Sequence, residues 1–214
     1  MKTPYTVSML RMLAYYIQTP VLGREDEART FSYHTQVGSM ISSARESFVR
    51  DVLELDSTHL LFVDEDMGFA PWVLNTLLMR QMPFVGCNYL MKRWPKQFTA
   101  RKVTDDGWIE TNAETDSLEE CLFMGMGMTL IETDILKNMK APNFLMDWSE
   151  EWKTYATEDR YLCLKMREAG YPPYIDHKAS KLVYHVGDHP YSWDNTGEPQ
   201  KQPYGERVRI KQNG

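Results

Sequence analysis

The chain has 214 residues, a formal net charge of −6, and a composition of 43% hydrophobic and 25% charged residues. This length suits one large domain with a substantial core, and the composition excludes a disordered chain. No apolar run approaches the roughly 18 residues of a membrane-spanning helix, and the polar N-terminal stretch lacks the apolar centre of a signal peptide. We therefore expect a cytoplasmic protein with no membrane span. The acidic balance disfavours a nucleic acid partner without excluding it.

The three cysteines, Cys87, Cys121 and Cys163, are odd in number and far apart. No Cys-x-x-Cys pair occurs, so the pattern disfavours a disulfide framework or a zinc knuckle. Buried free thiols are the simpler expectation.

The first part of the chain alternates predicted helices and strands. Thr-Pro followed by apolar residues at helical spacing predicts a helix over 3–18. Alternating apolar and polar residues predict a strand over 30–36. Ser39 or Ser42 then begins a second helix with an apolar face that ends near residue 55.

The next strand, Leu60–Val63, ends in three acids, Asp64, Glu65 and Asp66. Alternate residues of an extended segment project to the same side, so Asp64 and Asp66 converge while Glu65 points away. Close carboxylates repel and resist desolvation. The acids therefore form either a solvated turn or a site for a cation such as Mg²⁺ or Mn²⁺. Ligands of open α/β sheets bind beyond the carboxyl ends of strands, which favours the cation.

The alternation continues with a helix from Ala70 and a buried strand over 83–90, which together predict an α/β sheet with parallel pairs. The turn Asp105-Asp106-Gly107 predicts a hairpin, or an excursion from the main sheet. A strand containing Gly125 and Gly127 follows, and these glycines leave room for a close backbone or ligand.

The C-terminal part begins with a predicted helix from about Thr157, which has Asp159 in its first turn. Two short strands follow, over 173–176 and 182–185. From residue 188 the chain is polar and predicts a loop or tail, so the domain is expected to span residues 1–187.

Three chemistries fit a strand that ends in Asp-x-Asp. Aspartyl-phosphate chemistry wants the motif near the start of its domain, which disfavours it here. A two-metal nuclease wants more carboxylates on neighbouring strands. A nucleotide-diphosphate-sugar site uses a metal to bridge the acids and the leaving diphosphate.

Four segments of the sequence resemble the GT-A-type glycosyltransferases, particularly family-2-like ones. They are "GSMISSARESFVRDVLELDSTHLLFVDEDMGFAPWVLNTLL", "VGCNYLMKR", "FMGMGMTLIETDIL" and "EDRYLCLKMREAGYPPYIDHKASKLVYHVG". Together they cover roughly residues 37–187, in the order of the family. The resemblance implies a mixed, mostly parallel sheet flanked by helices. It also implies a metal-dependent hexosyl- or pentosyltransferase that moves a sugar from a nucleotide-diphosphate donor to a glycan or other hydroxyl acceptor.

The resemblance assigns a role to each matching position. Asp159, in the Glu158-Asp159 pair, matches the catalytic base of inverting members. The implied metal ligands are Asp64, Asp66 and His185, and the implied donor-binding residues are Arg45, Asp64, Glu65, Asp66, Gly125 and Gly127. The metal expected at this site is Mn²⁺ or Mg²⁺.

Departures from the family leave a second function open. The usual first strand is missing or reduced, because the sequence begins with a helix. Glu46 replaces an expected asparagine and either adds negative charge near the diphosphate or faces solvent. A non-catalytic nucleotide- or glycan-binding domain of the same fold is therefore the alternative.

Several residues have a simpler structural interpretation. Asp159 can cap its helix. The aromatic residues Trp148, Trp152 and Tyr155 can pack in the core or stack on a sugar. His185 and His189 have the i, i+4 spacing of helical zinc pairs, but Gly187 and Pro190 disfavour a helix there.

Overall fold

The computed structural model describes residues 3–36, 40–104, 107–150, 153–187 and 190–195. It is a mixed α/β fold. The helices are α1 (Thr3–Gln18), α2 (Ile41–Glu54), α3 (Val73–Leu78), α4 (Thr133–Lys137), α5 (Glu158–Glu168) and α6 (His177–Ser180). The strands are β1 (His59–Val63), β2 (Met67–Phe69), β3 (Phe84–Gly86), β4 (Leu118–Glu120), β5 (Met128–Glu132), β6 (Trp148–Ser149), β7 (Thr154–Tyr155), β8 (Tyr174–Asp176), β9 (Val183–Val186) and β10 (Pro190–Ser192).

The main sheet has five strands in the order β1-β5-β3-β8-β4. The expectation of a mixed sheet is confirmed. The expectation that most neighbouring strands in it are parallel is wrong. Among the strands that the structure describes, only β3 and β8 pair in parallel, whereas β1–β5, β3–β5 and β4–β8 are antiparallel. The antiparallel pairs arise because β5, which follows a long segment after β3, lies between β1 and β3. Local periodicity in the sequence does not encode the direction of a strand.

The sheet separates two hydrophobic clusters. Alternation along β1 sends Leu61 and Val63 to one face and Phe62 to the other. Helices α1, α3 and α6 cover the first face, and α2, α4 and α5 cover the second. A strand between two hydrophobic clusters must be apolar on both faces, which explains the continuous apolar run Leu60–Val63.

A second, smaller sheet brings the C-terminal strands to the acidic turn. Its order is β10-β9-β2, with all pairs antiparallel. Met67 pairs with His185 in the register, and the backbone N–H of Val186 donates to the Asp66 carbonyl at 2.6 Å. This pairing places His185 beside Asp66.

The strand predicted over 30–36 is wrong. These residues form no regular element, and Phe31 and Tyr33 are exposed. Alternation describes a half-buried strand only where a neighbouring strand pairs with it, and no strand in the described part of the chain pairs with these residues. Tyr33 instead shares a hydroxyl–hydroxyl bond of 3.1 Å with Tyr5 of α1.

The boundaries of two other predicted segments also differ. Helix α2 begins at Ile41 after an N-cap at Met40 that makes no side-chain bond, so Ser42 lies inside the helix. Ser39 lies outside the described residues. The predicted polar tail from residue 188 contains β10 and a 3₁₀ turn at Trp193–Asn195, and Tyr191 is buried. Residues 196–214 lie outside the described part.

Other expectations are confirmed. The segments on either side of the predicted turn pair as a hairpin, because the Ile109 N–H donates to the Ala100 carbonyl at 2.9 Å and the Lys102 N–H to the Gly107 carbonyl at 3.0 Å. Asp105 and Asp106 lie outside the described residues. All three cysteines are buried free thiols. Within the described ranges, no helix has the length and apolarity needed to cross a membrane.

Candidate functional site

The acids occupy a tight turn between β1 and β2, so the extended segment expected at Asp64–Asp66 is wrong. The backbone N–H of Asp64 donates to the Gly127 carbonyl at 3.1 Å, and Met67 donates back to the Asp64 carbonyl at 3.0 Å. Asp64 and Asp66 are half-buried, and Glu65 between them is exposed. The backbone thus fixes two carboxylates at the end of β1 and leaves the third in solvent.

A buried arginine joins the first acid to helix α5. Arg45 of α2 donates through Nη1 to Glu158 Oε1 at 2.6 Å and through Nη2 to Asp64 Oδ1 at 3.0 Å. Arg45 and Glu158 are almost fully buried. Burial raises the pKa of Glu158, although Arg45 opposes that shift. One guanidinium therefore orients carboxylates from two distant segments of the chain.

Arg45→Met is expected to destabilise the fold by about 3–5 kcal/mol, because it leaves the buried Glu158 carboxylate without its partner. Urea unfolding followed by circular dichroism measures this. The double variant Arg45→Met/Glu158→Met is expected to recover most of the loss, since it removes both buried charges. Arg50→Met, on the exposed side of the same helix, is the control and should change stability by less than about 0.5 kcal/mol. Equal stability of the Arg45 and Arg50 variants would contradict the role of this network.

The second acid faces a lysine and a histidine. Lys92 Nζ contacts Asp66 Oδ2, and His185 Nε2 lies 3.3 Å from Asp66 Oδ1. Burial acts to raise the pKa of Asp66, but the hydrogen bonds from His185 and Lys92 outweigh it and hold the pKa well below its usual range. Asp66 therefore stays ionised and available to a cation.

The bonding of His185 determines where its proton lies. Nδ1 is 3.0 Å from the Leu90 carbonyl oxygen, which only accepts, so Nδ1 carries the hydrogen. Nε2 then faces a carboxylate that also only accepts. A cation bound between Nε2 and Asp66 would satisfy both acceptors.

This donor set fits a divalent cation. Carboxylate oxygens and a neutral imidazole are ligands of Mn²⁺, and a metal-binding histidine usually donates its other N–H to a carbonyl, as His185 does. Within the described ranges, no three His, Cys, Asp or Glu side chains come together as a metal-binding group. A bound ion would therefore take further oxygens from a ligand, as Mg²⁺ does from substrate phosphates.

Tyr89 explains the two glycines before β5. The Gly127 N–H donates to the Tyr89 hydroxyl at 2.8 Å, and a Cβ at Gly125 or Gly127 would lie 2.5 Å from that oxygen. The Tyr89 ring also meets His185 edge-to-face at 5.3 Å. The close neighbour is thus a buried side chain, where a backbone or a ligand was expected.

Asp159 lies in the first turn of α5, as predicted. The Thr157 hydroxyl and the Arg160 N–H both donate to its Oδ1, the latter at 2.8 Å, and no described residue donates to Oδ2. Burial raises the pKa of Asp159, against the hydrogen bond from Thr157 and the charge of Arg45, while the charge of Asp64 adds to the rise. The carboxylate is therefore a stronger base than an ordinary aspartate, with one free oxygen.

The structure brings most of the predicted residues into one neighbourhood. Arg45 bridges Asp64 and Glu158, and His185 pairs with Asp66. Sequence reasoning assigned no role to Lys92 or Tyr89. Both lie in the stretch "VGCNYLMKR", which begins in strand β3 and runs on past its end. This position at the end of a buried strand was the signal that could have identified them.

Other predicted residues lie elsewhere. Glu46 neither adds charge to the acidic turn nor faces solvent freely, because its carboxylate accepts from the N–H groups of Asn143 and Phe144 at 2.7 and 3.1 Å. Trp148 and Tyr155 are exposed and meet edge-to-face across the β6–β7 hairpin at 5.5 Å. His189 and Trp152 lie outside the described residues.

Comparison with known proteins gives a fold and no family. No protein family and no curated protein matches this sequence. The chain is similar to a solved structure titled "Crystal Structure of A197 from STIV", with a TM-score of 0.52 and 21% sequence identity. The match covers 73% of this chain and 74% of that one. At this identity, the likeness establishes a shared mixed α/β fold alone.

Proposed function

We propose that this chain is a glycosyltransferase with a GT-A arrangement, which moves a sugar from a nucleotide-diphosphate donor to a hydroxyl of a glycan or another acceptor. The carrying observation is the pair formed by Asp66 and His185 at the end of β1, beside the Arg45 bridge that reaches the first turn of α5. The resemblance of the same segments to GT-A enzymes supports this proposal. A cytoplasmic location stays a prediction of the sequence.

The donor diphosphate is assigned to the acidic turn. Asp66 and His185 would hold Mn²⁺ or Mg²⁺, and Asp64, oriented by Arg45, assists at the same turn. A bound cation neutralises the charge that develops on the departing diphosphate. Lys92, already at Asp66, supplies a second positive charge for the phosphates.

Asp159 is assigned the acceptor side. Its free Oδ2 takes the proton of the acceptor hydroxyl. At the same time, the acceptor oxygen forms a bond to the anomeric carbon of the donor sugar. The bond between that carbon and the diphosphate oxygen breaks, and the nucleoside diphosphate leaves. In such a single displacement the acceptor oxygen attacks opposite the leaving group, so the product would have inverted configuration.

Lys92→Met is expected to bind Mn²⁺ about tenfold more tightly than the wild type in the absence of donor, a change of about 1.4 kcal/mol. The reason is that the ion no longer competes with an ammonium group for Asp66. Isothermal titration calorimetry measures the change. The neighbouring exposed Arg93→Met is the matched control and should bind Mn²⁺ as the wild type does. Unchanged affinity in Lys92→Met would contradict the competition.

The proposal is tested by release of nucleoside diphosphate from UDP-, GDP- and CDP-sugars, measured with Mn²⁺ and with EDTA. Turnover of at least one donor that depends on Mn²⁺ is the expected result. The anomer of the product, read by NMR, tests inversion. Tight nucleotide binding without turnover would instead support the non-catalytic binding domain, and no binding of any nucleotide would overturn both.

A further inference from the structure

A cleft of about 780 Å³ opens beside the candidate site. Three segments form it: residues 90–98 after β3, residues 108–112 of the hairpin, and the 3₁₀ turn at Trp193–Asn195. Its volume lies within the range of about 300–1,000 Å³ that is usual for small-molecule sites. None of the site residues predicted from the sequence lines it.

The apolar part of the cleft is made of aromatic rings that other residues hold in place. The Arg101 guanidinium lies 5.0 Å from the centre of the Trp108 ring, and Phe123 meets that ring edge-to-face at 6.2 Å. Trp193 packs against a small cluster of Leu90, Phe98 and Tyr191, and Lys181 Nζ lies 5.9 Å from the centre of its ring. Two indole rings are thus presented to the cleft with little freedom to move.

Polar side chains surround these rings. Asn112 Oδ1 accepts from the N–H groups of Glu114 and Thr115 at 3.0 and 3.1 Å, which fixes that side chain and leaves its NH₂ group as a donor. Glu110, Gln97, Lys96 and Asp194 add donors and acceptors. Glu110 and Asp194 outnumber Lys96, so the lining is net negative and suits a neutral polyhydroxylated ligand better than a phosphate or a nucleic acid.

The cleft adjoins the acidic turn through the chain itself. Leu90 lines the cleft, and its carbonyl oxygen accepts from His185 Nδ1 at 3.0 Å. Lys92, two residues further along, contacts Asp66. Residues 90–92 therefore connect the cleft to the position assigned to the donor diphosphate.

We propose that this cleft binds the acceptor and that the acceptor is a saccharide. A sugar ring has an apolar face that stacks on an indole and hydroxyl groups around its edge that need donors and acceptors. The cleft supplies both, in Trp108 and Trp193 and in the polar side chains beside them. This inference rests on the proposed function, since it names the class of acceptor for the same site.

The test is binding of neutral saccharides to the whole chain, followed by tryptophan fluorescence and calorimetry. The probes are methyl glycosides of glucose, galactose, mannose and N-acetylglucosamine and their disaccharides. Trp193→Ala and Glu110→Gln are the cleft variants. Trp72→Ala, which removes an exposed tryptophan at the N-cap of α3 that does not line the cleft, is the control. Nucleoside diphosphate affinity is measured for every variant, because the donor side should not change.

The expected result is that at least one saccharide binds the wild type and the Trp72 variant equally. It should bind at least about tenfold more weakly to Trp193→Ala, with nucleoside diphosphate affinity unchanged. Saccharide binding that is insensitive to both cleft variants would overturn the assignment of this cleft. Nucleotide binding with no saccharide binding would overturn the saccharide acceptor while leaving the proposed function standing. Binding of neither would overturn both.

Discussion

Asp66→Asn is expected to lower the release of nucleoside diphosphate by about 10³-fold, the scale on which a group that stabilises developing charge contributes. The amide keeps the shape of the side chain but removes the negative charge that faces Lys92 and His185. Removal of that charge weakens cation binding and leaves the Lys92 ammonium without its ion-pair partner. Turnover of the most active donor, measured at saturating Mn²⁺ and with EDTA, gives the effect.

Glu65→Gln is the matched control for this experiment. It makes the same chemical change at the adjacent residue, whose side chain is exposed, and its rate should stay within about twofold of the wild type, since exposed charges contribute little. Calorimetry of both variants with Mn²⁺ separates loss of the ion from loss of the fold. Equal, metal-independent turnover in the wild type and in Asp66→Asn would contradict the assigned cation role.

Asp159→Asn is expected to lower transfer to the acceptor by about 10²–10⁴-fold, the usual contribution of a general base. Nucleoside diphosphate affinity should not change, because the assigned contact of Asp159 is with the acceptor hydroxyl. Glu168→Gln, an exposed carboxylate at the other end of α5, is the control and should retain full activity. Loss of donor binding in Asp159→Asn would contradict the assignment and indicate a structural role.

The pH dependence provides an independent readout of the same residue. Burial raises the pKa of Asp159, and only the ionised form accepts a proton. The wild-type rate should therefore fall as the pH drops through this raised pKa, and the remaining rate of Asp159→Asn should lack that acid limb. A raised carboxyl pKa favours the folded state below it and disfavours that state above it. Asp159→Asn is consequently expected to keep or gain stability at neutral pH while it loses activity, a combination that a purely structural role would not produce.

Arg45 illustrates how far the sequence alone could reach. Its position on the apolar-faced helix α2 was predictable, as were the strand that precedes Asp64 and the helix that begins at Glu158. Each of these follows from apolar periodicity and helix-start signals within about 15 residues. The Arg45 guanidinium bonds both carboxylates, which lie 19 and 113 positions further along the chain. No local pattern encodes contacts at such separations.

The roles of Lys92 and Tyr89 could not be predicted from the sequence. Both lie in a stretch whose strand was predicted, but neither residue type signals chemistry by itself. Tyr89 becomes important because its hydroxyl fills the space beside Gly125 and Gly127. Lys92 becomes important because the turn after β1 places Asp66 in its reach.

Local patterns in the sequence predicted the α/β class, most helices, and the buried strands β1 and β3. These features depend on periodicity and on the alternation of neighbouring side chains, which are local properties. The tertiary structure decided that β5 runs antiparallel between β1 and β3, that residues 30–36 form no strand, and that His185 meets Asp66 through the pairing of β9 with β2. These features depend on which segments become neighbours, and that choice is made by burial of the whole core.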